Sequence, residues 1–493
     1  QYLPHAMCKQ THPGCQVGCI VKNCIPWVFS SCPHNFSHGI AKRFLIDGPE
    51  PKPDAMHYYN IALRHINIGV IENPPTVEEF YNTRTKTSMR KRFKRGEAYL
   101  AARGATDPNI RRPADALVKR ELAVNILRDD ELRPKSPKPR IVAVFDPVYS
   151  VLFGPIFYAV EKLCYRMPGW GKHLSPDEWG KIIEDIEENY CHIHWTDFSK
   201  FDASYREIHF AVFRAFLLKV GVPKFIRDAL YKHENSWALL RKDFCSIFME
   251  KGKRATGSPQ TSIGNNTLAL LTHYAVRAKW CSIIRQKFDF LDYRMLINGD
   301  DAVIGHTRAS LVPPLSLYKD FGFNVTENEH TFCRCHPASG ALWRDLTQFF
   351  VRIGWTVKLH FTSRYEVKVS YMLMVAQGYR ILAGTAPIVS TWLYAQERNC
   401  RAYLKFGSAQ SRFHKKVLAL EKDSYFLDQH APVFSEDMKP YIPPSLQDRL
   451  SFARTFGVSI TKQKRLEQRI LQNPSPTAIV DLEGLIIQAD PNH

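Results

Sequence analysis

A chain of 493 residues is long enough for several subdomains or two to three compact domains. Its 45% apolar and 12% aromatic content excludes disorder for most of that length. The 67 Lys and Arg against 48 Asp and Glu leave a net charge of +19, which points to a polyanionic partner, nucleic acid or an anionic membrane.

Five of the twelve cysteines (Cys8, Cys15, Cys19, Cys24 and Cys32) crowd into the first 32 residues among His5, His12, His34 and His38. Such a density could hold a structural zinc ion, whose preferred ligands are thiolate and imidazole. The spacings are irregular and contain no Cys-x-x-Cys pair, so reduced thiols and ordinary histidines are the simpler expectation. The opening Gln1-Tyr-Leu-Pro-His shows no secretory leader and is expected of a chain cut from a longer polypeptide.

Thr83 to Arg95 carries seven cations, with Arg90, Lys91, Arg92, Lys94 and Arg95 at its heart. With so basic a chain, phosphate contact is a better reading than a solvated face. A second basic stretch ends Arg133-Pro-Lys-Ser-Pro-Lys-Pro-Arg140, where three prolines keep it extended. It runs into a short apolar strand, Ile141 to Phe145, and so is placed to grip a triphosphate. His192-Ile-His-Trp195 alternates and predicts a strand that delivers Asp197, with His192 and His194 on the opposite face and hydrogen-bonded. After Asp202 the pattern turns helical through Phe210, Phe213 and Leu217. Arg294 to Ile297, an Asn298-Gly299 turn and Ala302 to Ile304 predict a β-hairpin with Asp300 and Asp301 at its tip.

Past Gly354 the signal fades into mixed helical patterns. The nearest approach to a membrane span, Tyr371 to Tyr394, is broken by Gln377 and Arg380. Leu446 to Gly457 and Thr461 to Gln472 read as amphipathic helices, the second capped by Thr461. There is no Gly-rich Lys-Ser/Thr phosphate loop, which argues against a helicase or simple NTPase.

Two acidic runs about a hundred residues apart can converge only in a folded core, and converged carboxylates suit a pair of Mg²⁺ ions. Adjacent aspartates at the mouth of a buried hairpin are costly unless a cation neutralises them. Between the runs, Thr256-Gly257 leads to Thr261 and Asn265, which lie four apart on one helical face and could bond a ribose or Asp202.

In order, these runs resemble the palm motifs of viral RNA-dependent RNA polymerases. Asp197-x₄-Asp202 is similar to motif A, Thr256-Gly257-x₃-Thr261-x₃-Asn265 to motif B, and Gly299-Asp300-Asp301 to motif C. Lys119-Arg-Glu121 with Lys138-Pro-Arg140 resembles motif F, Tyr318 to Phe323 motif D, and Phe332-Cys333 with Pro337 motif E. The resemblance covers Lys119 to Asp345, and within the family it is nearest to tombusvirus and nodavirus polymerases.

It implies a mixed α/β (α+β) right hand, its palm an antiparallel sheet backed by helices. Residues 1–45 would be a Cys/His-rich extension, 46–190 fingers and fingertips, 191–350 palm with a fingers insertion at 206–255, and 351–493 thumb and tail. The implied reaction is template-directed 5′-to-3′ RNA synthesis from NTPs. Asp197 and Asp300 would hold two Mg²⁺ (or Mn²⁺) ions, supported by Asp301. Lys119, Lys138 and Arg140 would neutralise the triphosphate, and Asp202, Thr261 and Asn265 would select ribose. Gly257 and the Arg90–Arg95 cluster would contact RNA, and Lys319 is the nearest lysine for protonating pyrophosphate. Implied partners are RNA template and product, NTPs and other viral replication proteins, in host cytoplasm at membrane-associated replication complexes. A reverse transcriptase would place a bulky aromatic near Asp202. A non-catalytic RNA-binding scaffold would need no such set of acidic and ribose-reading positions.

Overall fold

The computed structural model describes residues 12–13, 15–16, 26–29, 32–43, 46–84, 87–103, 114–118, 122–124, 139–236, 238–241, 245–248, 254, 257, 260–328, 330–338, 341–344, 349–350, 353, 355–356, 364–405, 438 and 440–472. Side-chain alternation builds its central sheet. Along the strand His192–Ser199, Trp195 and Phe198 are both buried although they point to opposite faces. The strand therefore needs cover on both sides.

Four strands make this sheet, in the order Tyr293–Asn298, Asp301–His306, His192–Ser199, Asn324–Glu327, with every pair antiparallel. On one face Phe198, Met295, Ile297, Ala302 and Ile304 join the largest hydrophobic core. The helix Thr261–Ile283 runs through that core, buried around most of its circumference as expected of a helix packed on all sides. The helices Ala55–His65 and Glu207–Lys219 also pack against it. On the opposite sheet face Trp195, Leu296 and Val303 meet Ile183 and Ile186 of the helix Pro176–Asn189. That helix starts sharply because Ser175 and Glu178 form a reciprocal capping box with Pro176 just inside it.

A second sheet has the order Ile141–Val144, Ala114–Val118, Ala238–Arg241, Cys245–Phe248. Its middle pair is parallel, the one departure from antiparallel pairing among the described strands. The expected strand after Arg140 is present and ends at Val144. The basic segment is a helix, Thr87–Arg103. Residues 125–138, which include Lys138, and Lys119 lie outside the described residues. So do Cys8, Cys19 and Cys24; among the described residues no group of three or more His, Cys, Asp or Glu could hold a metal ion.

Beyond the central sheet a separate core forms around Trp392, Phe350, Met372 and Phe452. The helices Tyr365–Ala383 and Val389–Lys405 pack against each other there. Their boundary at Gly384–Ile388 interrupts the apolar stretch of Tyr371 to Tyr394, and among the described residues no helix is long and apolar enough to cross a membrane. The two C-terminal helices are Leu446–Phe456 and Ile460–Gln472. The expected cap is displaced by two residues: the Ser459 hydroxyl accepts the Lys462 N–H at 3.3 Å, so Thr461 sits inside the first turn.

Candidate active site at the central hairpin

The hairpin turn is two residues long, because Asn298 pairs directly with Asp301. Positive φ is confined to Gly299 (φ 71°), the first central residue, as in a type II′ turn. Nothing lies within 4 Å of where a Gly299 Cβ would stand, so the glycine is required by backbone conformation and not by space. Two hydrogen bonds fasten the tip. The Gly299 N–H donates to Asn266 Oδ1 at 2.6 Å, and the Phe198 N–H donates to the Asp300 carbonyl at 3.2 Å. Asp300 is thus held on the turn, while Asp301 opens the returning strand.

Register then brings the acidic runs together. Asp301 is the direct cross-strand partner of Asp197, and Thr326 flanks Asp197 on its other side. Directly opposed residues share a face with Cβ atoms about 5 Å apart, where like charges repel. All three acids are weakened first by burial. Asp197 is pushed up to about 6 by burial and then by Asp300, with Arg334 opposing. Asp301 is pushed up to about 7 by burial, Asp300 and Asp197, against the Cys333 N–H and Arg334. Asp300 is also raised, by burial and by Asp202, while Arg140 and Arg334 pull it down. Mutually repelling, desolvated carboxylates are the hard-oxygen donor set that a divalent cation neutralises. The donor chemistry fits such an ion, although the three do not close into a ready-made cage.

Beyond Asp197 the chain leaves the strand through Lys200, in the left-handed region at φ 55°, into the 3₁₀ turn Phe201–Ser204 that carries Asp202. Asn265 Nδ2 donates to Asp202 Oδ1 at 2.6 Å. Thr261 is the first residue of the long helix, one turn before Asn265. Gly257 (φ 105°) presses against the strand after Arg140, where a Cβ would come within 2.2 Å of the Ala143 carbonyl oxygen. Arg140, half-buried, lies within electrostatic reach of Asp300. Asp197, Asp202, Arg140, Asn265, Asp300 and Asp301 are therefore joined by register, hydrogen bonds or charge. Lys319 is exposed on the 3₁₀ segment Leu315–Phe321.

The basic helix divides into two kinds of residue. Arg90 and Arg92 are half-buried and donate to the carbonyls of Arg84 and Phe145. Lys91, Lys94 and Arg95 are exposed, with Lys94 paired to Glu97 at 2.9 Å and lying 4.5 Å from the Tyr81 ring centroid.

Several contributors were not read from sequence. Phe332 and Cys335 exchange backbone hydrogen bonds across a two-residue turn, Cys333-Arg334, in which both residues have positive φ (52° and 63°). This turn delivers the Cys333 N–H and the Arg334 cation to the carboxylates. No glycine or asparagine announces it, so the motif E resemblance of Phe332-Cys333 was its one sign in the sequence, and that resemblance did not name Arg334. Asn298 anchors it by donating to Cys333 Sγ at 3.2 Å. Asn266, which holds the hairpin tip, was visible only as the neighbour of Asn265. His194 does lie on the face away from Asp197, and its buried Nδ1 has no hydrogen-bond partner among the described residues.

A family model described as viral RNA dependent RNA polymerase matches residues 196–474, more than half of the chain. The chain belongs to this polymerase family. Among its curated relatives is an RNA-directed RNA polymerase of Pariacoto virus, 25% identical over 278 residues, which cover 52% of this chain and 27% of that protein. The RNA-directed RNA polymerase of Turnip crinkle virus is 23% identical over 365 residues, covering 68% of this chain and 43% of its own length. That of Groundnut rosette virus is 22% identical over 368 residues, covering 67% and 39%. Pariacoto virus is a nodavirus and Turnip crinkle virus a tombusvirus, the two groups the motifs resemble. The matched stretches span less than half the length of each of these three relatives. The polymerase match begins at Thr196, one residue before the first of the facing carboxylates.

Proposed function

We propose that the chain is the catalytic portion of an RNA-directed RNA polymerase, a nucleotidyltransferase that copies an RNA template 5′ to 3′ from NTPs and releases pyrophosphate. The observation that carries this reading is the register of Asp197 opposite Asp301, with Asp300 on the adjoining turn. The right-hand division comes with it: the central sheet as palm within 191–350, the preceding 46–190 with 206–255 as fingers, and the separate C-terminal core within 351–493 as thumb. The two separate cores support that division.

Asp197 and Asp300, supported by Asp301, would hold the divalent ions, Mg²⁺ or Mn²⁺. When bound, these supply Lewis-acid stabilisation of the transferring phosphoryl group. The protein's own residues do the rest. Arg140, with Lys119 and Lys138, neutralises charge on the triphosphate. Asp202, Asn265 and Thr261 read the 2′-hydroxyl, which is both donor and acceptor. Lys91, Lys94 and Arg95, together with Arg90, Arg92 and Gly257, would contact the RNA, and Lys319 is assigned to protonation of the leaving group. By family analogy we place the enzyme with other viral replication proteins in membrane-associated complexes of the host cytoplasm.

The test is incorporation of labelled NTPs on an RNA template with Mg²⁺ or Mn²⁺, with Asp300→Asn alongside. Template-length product from the wild type and at least a roughly 10³-fold loss in the variant are expected, with template binding nearly unchanged. Near-normal elongation by Asp300→Asn would sink the metal assignment. Product from dNTPs equal to that from NTPs would favour reverse transcription instead, and tight RNA binding without metal-dependent synthesis would favour a scaffold.

A further inference from the structure

The pair assigned to ribose reading is itself held by a residue that no motif contains. Tyr205 follows Asp202 by three positions, is fully buried, and donates its hydroxyl to Asn265 Oδ1 at 2.9 Å. A carboxamide oxygen only accepts and its nitrogen only donates. The Asp202 carboxylate, which only accepts, takes the NH₂ end of the Asn265 amide at 2.6 Å, and the phenol anchors the oxygen end that remains. A flipped amide would set Oδ1 against the Asp202 carboxylate, two acceptors with no proton between them.

Behind the ring lies an unusual cation. The Arg254 guanidinium sits 4.4 Å from the Tyr205 ring centroid and is 1% exposed. Its three nitrogens have no hydrogen-bond partner among the described residues. It is boxed in by Phe210 and Phe213, and Gly264 makes room for it, since a Cβ there would approach Nη2 to 2.7 Å. A cation over an aromatic face is attracted by the ring's electron density and polarises it, which makes the phenol a stronger donor.

We infer that Tyr205 is a specificity-determining positioning residue: it locks the Asn265 amide so that Asp202 meets the sugar as an acceptor of fixed orientation. The inference rests on the polymerase reading above and deepens it. Tyr205→Phe keeps the ring and its packing and removes only the donor. In single-nucleotide incorporation on a primed RNA template, the variant is expected to keep kcat for ATP within about threefold. KM for ATP should rise while KM for dATP stays unchanged, so that the ATP-over-dATP ratio of kcat/KM falls about five- to tenfold, the scale of one hydrogen bond. In an Asn265→Ala background the same substitution should change the ratio no further. Arg254→Met, which leaves the phenol in place, should lower the ratio in the same direction by a smaller factor, and carries the test should Tyr205→Phe not fold.

An unchanged ratio in Tyr205→Phe, while Asp202→Ala lowers it, overturns the role of Tyr205 alone. So does a further loss on the Asn265→Ala background. A wild-type protein that incorporates nothing, or that ignores the sugar, overturns the polymerase reading and this inference with it.

Discussion

Two opposed carboxylates with a third on the adjoining turn are a standing conflict that shows in how the protein responds to pH. Asp301 titrates near 3.8 when unfolded and at about 7 when folded. Between those values the native state binds the extra proton, so this contribution to stability is present below pH 4 and is lost as pH rises through 7. In EDTA, Asp301→Asn should therefore match the wild type near pH 4. It should be more stable by roughly 1–3 kcal/mol at pH 8, since a tenfold change in proton affinity is worth about 1.36 kcal/mol. Comparing melting curves of the two proteins cancels the opposite trend from buried neutral histidines such as His209, held down at about 4. A constant difference across that range would refute mutual repulsion as the source. The aspartates themselves were legible in the sequence, because their residue types and order carry the chemistry. Arg334 was not, because its role depends on a turn whose backbone conformation its own residue type disfavours.

At the scale of elements, the hairpin is the part that sequence reads best. Alternating apolar residues on either side of Asn-Gly specify two strands, and the strands specify where the aspartates must lie. Sequence alone left the turn residues off by one: the central pair is Gly299-Asp300, and Asp301 belongs to the returning strand. That single position matters, because it puts Asp301 and not Asp300 in register with Asp197. Gly299→Ala should cost about 1 kcal/mol through its left-handed backbone alone, with no clash to add. It should lower synthesis by more than its effect on stability, since the tip carries Asp300. Gly299→Asn, which tolerates that conformation better, should recover most of both. Equal damage from Ala and Asn, measured by denaturant unfolding and nucleotide incorporation, would mean that something other than φ demands the glycine. The helix-cap shift from Thr461 to Ser459 has a plainer cause: both residue types cap well, and only the path of the backbone chooses between them.

For the whole molecule, the separate hydrophobic clusters imply separable unfolding. Trp392 is fully buried between Phe349 and Phe350, with ring centroids 6.1 and 5.8 Å away. Trp392→Ala should cost about 3–5 kcal/mol and shift one calorimetric transition while leaving that of the central sheet in place. A uniform shift of a single transition would show instead that the cores unfold together. The net charge of +19 predicts RNA affinity that falls steeply with salt, by about 0.7 in log–log slope for each phosphate neutralised on a single strand. Lys91→Ala and Arg95→Ala should each reduce that slope by one such increment. An unchanged slope in both would return this helix face to simple solvation. By itself the sequence pointed to the polymerase family and picked out Asp197, Asp202, Asn265, Asp300 and Asp301, which the fold brings together, because catalytic chemistry tolerates few residue types and their order along the chain survives folding. Tertiary structure alone decided which aspartates oppose each other, that Arg334 and the Cys333 N–H join them, and that the Tyr205 hydroxyl reaches Asn265. Those relations arise from strand register and from contacts across long stretches of chain, which local residue pattern does not encode.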